Sequence, residues 1–155
     1  MATTAIRTIV DGQLLAAALL YRASAETGLS DWADDSFIER FGKAVAHINT
    51  IAMDEAGREA ASDNIHWLLT DRLKFFQDRK DFPLADEVIE RPMFATGEPR
   101  SGTTLMHALM SVDPDARALR FWEGMNPSPP PGKVEGVDPR MGQSGDGCAE
   151  INPKI

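Results

Sequence analysis

Within Arg100-Ser101-Gly102-Thr103-Thr104 stand one guanidinium and three hydroxyls, a set of donors that could hold a phosphate-like oxyanion without a metal. The glycines that bound this stretch, Gly97 and Gly102, allow a tight turn and close approach of the backbone to a ligand. Before it comes Arg91-Pro92-Met93-Phe94-Ala95-Thr96, a short apolar run that suits a buried strand. After it comes Leu105-Met106-His107-Ala108-Leu109-Met110, a run of good helix formers. A strand, a glycine-bounded turn and a helix in that order direct several backbone N–H groups and the positive end of a helix dipole at one point.

The spacing compares with the nucleotide-triphosphate P-loop, in which two glycines separated by four residues precede lysine and then serine or threonine. Gly97 and Gly102 have that separation, and Thr104 has the register of the hydroxyl. Thr103 stands in place of the lysine, and a cation appears earlier, at Arg100. A triphosphate pocket needs the lysine on the β and γ phosphates and the hydroxyl on magnesium. The exchange therefore weakens the reading as a P-loop nucleotide kinase with a degenerate loop. A third possibility is a helical module whose glycines and threonines only form a turn and a cap.

The segment Gly97-Glu98-Pro99-Arg100-Ser101-Gly102-Thr103-Thr104-Leu105 resembles the 5′-phosphosulfate loop of sulfotransferases, which use 3′-phosphoadenosine 5′-phosphosulfate (PAPS) as sulfuryl donor. The likeness continues through 113–123 and into Pro127-Ser128-Pro129-Pro130-Pro131, and looks like the bacterial, broad-substrate branch of that family. Upstream it thins to pieces such as Thr27-Gly28-Leu29 and Arg72-Leu73, and after Lys133 there is no match. One departure is Glu98, where this branch usually carries an apolar residue.

The resemblance implies that Pro99, Arg100, Ser101, Gly102, Thr103 and Thr104 bind the donor, with no metal, and that Arg100 also acts in catalysis. Sulfuryl transfer is an in-line displacement at sulfur, so positioning and electrostatic stabilisation do most of the work. The acceptor alcohol or amine also needs a base. Glu123 in Arg120-Phe121-Trp122-Glu123 resembles the glutamate some of these enzymes use; a structural carboxylate paired to Arg117 or Arg120 is the alternative. His107, one turn after Thr104, reads as packed or exposed rather than as a base. The family's arginine and serine grip on the 3′-phosphate has no recognisable equivalent after Pro131, which leaves half of a donor site. The acceptor class implied is a small molecule, lipid or carbohydrate.

Stepping outward, the chain has 155 residues and 43% hydrophobic content, enough for one domain with a core. A net charge of −8, from 16 basic and 24 acidic side chains, argues against a nucleic-acid or anionic-membrane partner. Cys148 is the single cysteine, so no internal disulfide is expected. The apolar run at 14–20 is short and lacks a basic lead, and no stretch reaches the roughly 20 apolar residues of a membrane span. These features point to a cytoplasmic setting. His47 and His66 fall in separate helices without other ligands at metal spacing, so no metal site is expected.

The elements that position the loop read as helices over 1–88. The first carries Leu14, Leu15, Ala18 and Leu19 and stops near Gly28. The second follows the cap cluster Asp34-Asp35-Ser36, with Phe37, Ile38, Phe41, Val45, Ile48 and Ile51 on one stripe. The third opens at Ser62 or Asp63, uses Ile65, Leu68, Leu69, Leu73 and Phe76, and ends before Pro83. These stripes, with Trp32 and Trp67, read as core. Residues 89–131 form the strand, phosphosulfate loop and helix, and the glycine-rich, aperiodic segment 132–155 reads as disordered. The expected fold is thus an α/β P-loop-like, sulfotransferase-type domain that looks truncated, because a single strand cannot build a parallel sheet.

Overall fold

The computed structural model describes residues 6–142. It is mostly helical, with a small two-stranded sheet, and divides into two compact units that meet in sequence between Pro83 and Leu84.

The first unit opens with a hairpin that the periodicity did not predict. Strand β1 (Ile9–Val10) pairs antiparallel with β2 (Gln13–Leu14), in the register Ile9 to Leu14 and Val10 to Gln13. The turn between them is Asp11-Gly12, with φ of 49° and 70°. Positive φ at both central residues defines the type I′ turn, whose twist matches that of paired strands. Leu14 therefore belongs to a strand and not to the first helix, and it faces the core at 2% exposure. Asn49 covers the outer edge of β2: its Oδ1 accepts from the Leu14 N–H at 2.9 Å and its Nδ2 donates to the Leu14 carbonyl at 2.9 Å. A side-chain amide thus takes the place of a third strand.

Helix α1 (Ala16–Thr27) ends where the sequence predicts, at Gly28, whose φ of 70° lets its N–H reach the Ser24 carbonyl. Helix α2 (Asp35–Ile48) is capped by Asp34, whose carboxylate accepts from the Phe37 N–H at 3.0 Å. Ile51, read as part of its stripe, lies past the helix end and is exposed. Helix α3 runs over Glu55–Asp81 and starts a full two turns before the expected cap. Its cap is Asp54, which accepts from the Gly57 N–H at 2.8 Å. The early turns contain Ala56, Ala60 and Ala61, which favour helix strongly but leave no apolar period to read. Ser62 is a buried mid-helix contact instead, its hydroxyl 2.7 Å from that of Thr8.

Leu14, Leu19, Ala23, Val45, Leu69 and Leu73 form the core of this unit, flanked by Leu29, Trp32, Phe37, Phe41 and Ile65. Arg72 crosses one side of it. Its guanidinium lies 3.8 Å from the centroid of Phe37 and 4.8 Å from that of Phe76, and donates to the Trp32 carbonyl at 3.0 Å. The cation–π contacts and the apolar stem let a charged side chain serve as packing.

The second unit contains a 3-10 turn at Leu84–Asp86, helix α4 (Thr103–Met110), the short helix α5 (Phe121–Met125) and a 3-10 turn at Pro139–Gly142. The strand expected at 91–96 is not formed. Its residues have no ladder partner, and every residue from Arg91 to Arg100 is exposed. A strand is stable only when its backbone groups are paired, and the described residues of this unit supply no neighbour. Met93 and Phe94 accordingly stand 68% and 82% exposed, and Leu105, Met106 and Leu109 of α4 are exposed as well.

Residues 132–142, read as part of a disordered tail, carry structure organised by one side chain. Arg140 binds Asp138 through Nε at 2.9 Å and through a second nitrogen at 2.5 Å. Its remaining nitrogen donates to the carbonyls of Asn126 at 2.7 Å and Pro129 at 2.8 Å, while the guanidinium lies 5.0 Å from the Trp122 ring centroid. The rest of the expected tail, including Cys148, lies outside the described residues.

Candidate functional site

The loop from Gly97 to Thr104 is built as a closed turn resting on the start of α4. The Ser101 N–H donates to the Glu98 carbonyl at 3.1 Å, which closes a four-residue turn with Pro99 and Arg100 in the middle. Proline fixes its own φ near −65°, and Arg100 has a φ of 63°. That combination is a type II turn, which ordinarily requires glycine where Arg100 stands. An L-residue in the left-handed region costs about 1 kcal/mol or more. Gly102, at φ 90°, then turns the chain into the helix.

Gly97 is favoured by contact rather than by its dihedrals. A Cβ there would lie 2.5 Å from the Ser101 hydroxyl oxygen and 3.1 Å from the Thr103 methyl group. The hydroxyl-rich side of the loop therefore folds back over the glycine.

Helix α4 begins at Thr103 with Gly102 as its N-cap and no side chain bonded to its first turn. Its leading N–H groups and its dipole therefore remain available to an anion. Arg100 is exposed and makes no hydrogen bond or ion pair among the described residues. Pro99, Ser101 and Gly102 are exposed, as is Thr104, while Thr103 is half-buried. The six predicted donor-binding residues, Pro99 to Thr104, thus run from the turn into the start of α4, and all but Thr103 are exposed. Glu98 is exposed as well, and only its backbone carbonyl takes part in the turn.

Glu123 is placed differently. It is buried on α5, where Oε1 accepts from Arg117 at 2.9 Å and Oε2 accepts from the Arg120 N–H at 2.9 Å. This is the paired arrangement named as the alternative to a base, with the side chain of Arg117 and the backbone of Arg120 as partners. Among the described residues no hydrogen bond or ion pair joins Glu123 to the loop. His107 is exposed on α4.

Sequence reasoning missed Arg140, whose four bonds hold the segment after α5. The signal was faint: Asp138-Pro139-Arg140 is a turn sequence, but the Asn126 and Pro129 carbonyls it reaches lie far back in the chain. Its guanidinium keeps the Asp138 carboxyl below the ordinary carboxylate range, chiefly through their hydrogen bond and against the opposing effect of burial.

Among the described residues no three His, Cys, Asp or Glu side chains gather as a metal ion requires; His47 is exposed and His66 lies 2.6 Å from Glu26. No described helix is long and apolar enough to cross a membrane. Compared with models of protein families, with curated proteins and with solved structures, the chain matches none.

Proposed function

We propose that the 97–104 loop binds the 5′-phosphosulfate of PAPS and that the chain is a sulfotransferase, or a fragment of one, with an α/β P-loop-like fold. The observation that carries this reading is Arg100: an unpaired guanidinium held in a left-handed conformation beside an uncapped helix N-terminus. Backbone strain at a residue whose charge is otherwise unused fits a binding role, because ordinary turn formation favours glycine there. The fold part rests on the exposed apolar side chains of 93–94 and α4, a surface that neighbouring parallel strands and helices would cover.

In this reading the acceptor oxygen or nitrogen attacks sulfur, the bond from sulfur to the 5′-phosphate oxygen breaks, and the acceptor proton passes to a base. Arg100 and the first N–H groups of α4 stabilise the charge that grows on the leaving phosphate. Glu123 is the candidate base, once released from Arg117. The acceptor is a hydroxyl or amine of a small molecule, lipid or carbohydrate, and the setting is cytoplasmic.

The pairing of Glu123 favours a second reading, a nucleotide-binding fragment without turnover. Ligand-induced stabilisation with adenosine 3′,5′-bisphosphate, set against ATP with magnesium, tests the donor site. A rise in unfolding temperature with the former alone supports the proposal, and equal or absent responses contradict it. Sulfate transfer from labelled donor to phenols, sterols and sugars separates the enzyme from the fragment.

A further inference from the structure

Within the second unit, residues 117–141 line an open hollow of about 420 Å³. Trp122, Val134, Val137 and Met141 supply apolar wall, and four charged residues line it as well: Arg117, Arg120, Glu123 and Asp138. Three of these four charges are already matched. Glu123 is paired with Arg117 at 2.9 Å, and Asp138 with Arg140 at 2.5 Å. Arg120 makes no ion pair among the described residues; its side chain lies at the start of α5 beside the Glu123 N–H, and its own backbone N–H is bonded by Glu123. Arg120 is therefore the one charged residue of this wall without an ion pair.

We propose that this hollow binds a small apolar molecule bearing a single negative charge, such as an aromatic carboxylate, with its acid group on Arg120. The volume is at the lower end of the range for small-molecule sites, about 300–1,000 Å³, and suits one or two rings. A guanidinium matches a carboxylate in bidentate fashion. The nearby carboxylates of Glu123 and Asp138 disfavour a second negative charge on the ligand. Binding here stands apart from the donor loop. Glu123, in the wall of the hollow, serves as base for a hydroxyl on the bound molecule, a step that rests on the proposed function.

The test uses the full chain and the indole N–H resonance of Trp122 in a ¹⁵N correlation spectrum, assigned among the three tryptophans by Trp122→Phe. The probes are 2-naphthoate and its neutral analogue 2-naphthamide. Naphthoate is expected to move the Trp122 signal saturably and to bind about tenfold more tightly than the amide, as a charge-assisted hydrogen bond requires. Arg120→Gln removes the preference, Arg120→Lys retains most of it, and Arg100→Ala leaves it unchanged, so failure of the donor loop is distinguishable. An unmoved Trp122 signal, equal affinities for acid and amide, or a preference that survives Arg120→Gln overturns the proposal.

Discussion

The hydroxyl oxygen of Ser101 lies 2.5 Å from the point where a Cβ on Gly97 would stand, so in the observed loop that hydroxyl occupies the space a side chain at 97 would take. Gly97→Ala must turn the Ser101 hydroxyl and the Thr103 side chain away from their observed positions, and with them two of the loop's hydroxyl donors. The expected result is a loss of about tenfold or more in affinity for adenosine 3′,5′-bisphosphate, with little change in overall stability because the loop is exposed. Calorimetric titration alongside thermal unfolding checks both halves.

Arg100 sets stability against binding. Arg100→Gly relieves the left-handed strain and is expected to stabilise the second unit by about 1 kcal/mol while weakening the nucleotide response. Arg100→Ala weakens the response without that gain, since alanine is strained there too. Chemical denaturation of the two variants distinguishes them, and equal stabilities would contradict the turn geometry.

Asp138 gives the second unit an acid limit. Its carboxyl is held below the ordinary range by Arg140, so its contribution is complete above the unfolded value of about 3.9 and is lost as pH falls through the lower folded value. Denaturation followed from pH about 5 down to about 2 should show falling stability, and Asp138→Asn should flatten that dependence.

Helix α3 depends on a cap well before its apolar stripe. Asp54→Ala is expected to cost about 1 kcal/mol and to increase amide exchange through 55–58, whereas Ser62→Ala leaves those amides protected. Exchange at Ser62 that resembled a helix end would contradict the observed start.

The exposed apolar surface has a solution consequence. With Met93, Phe94, Leu105 and Leu109 each more than half exposed, the chain is expected to associate as concentration rises. Sedimentation velocity checks this, and Met93→Ser with Phe94→Ser should reduce the association.

What was legible in the sequence was what short-range chemistry decides. Gly28 and Asp34 were read correctly as a helix stop and a helix cap because each acts within three or four residues of itself. The pairing of Glu123 with Arg117 was foreseen as one of two roles. Asp11-Gly12 was readable as a hairpin turn, but the strands on either side are only two residues long and show no period. The strand at 91–96 was misread because apolar content signals burial, while pairing depends on a neighbour that no local pattern specifies. Arg140 was hidden because its partners lie 11 and 14 residues back.

The central claim is that the 97–104 loop is a phosphosulfate site with Arg100 as its cation. Titration of the full chain with adenosine 3′,5′-bisphosphate, beside the Arg100→Ala variant, tests it most directly. Saturable binding that Arg100→Ala weakens by about tenfold or more is the predicted result. Binding of equal strength in both proteins, or to ATP with magnesium in preference, would contradict it.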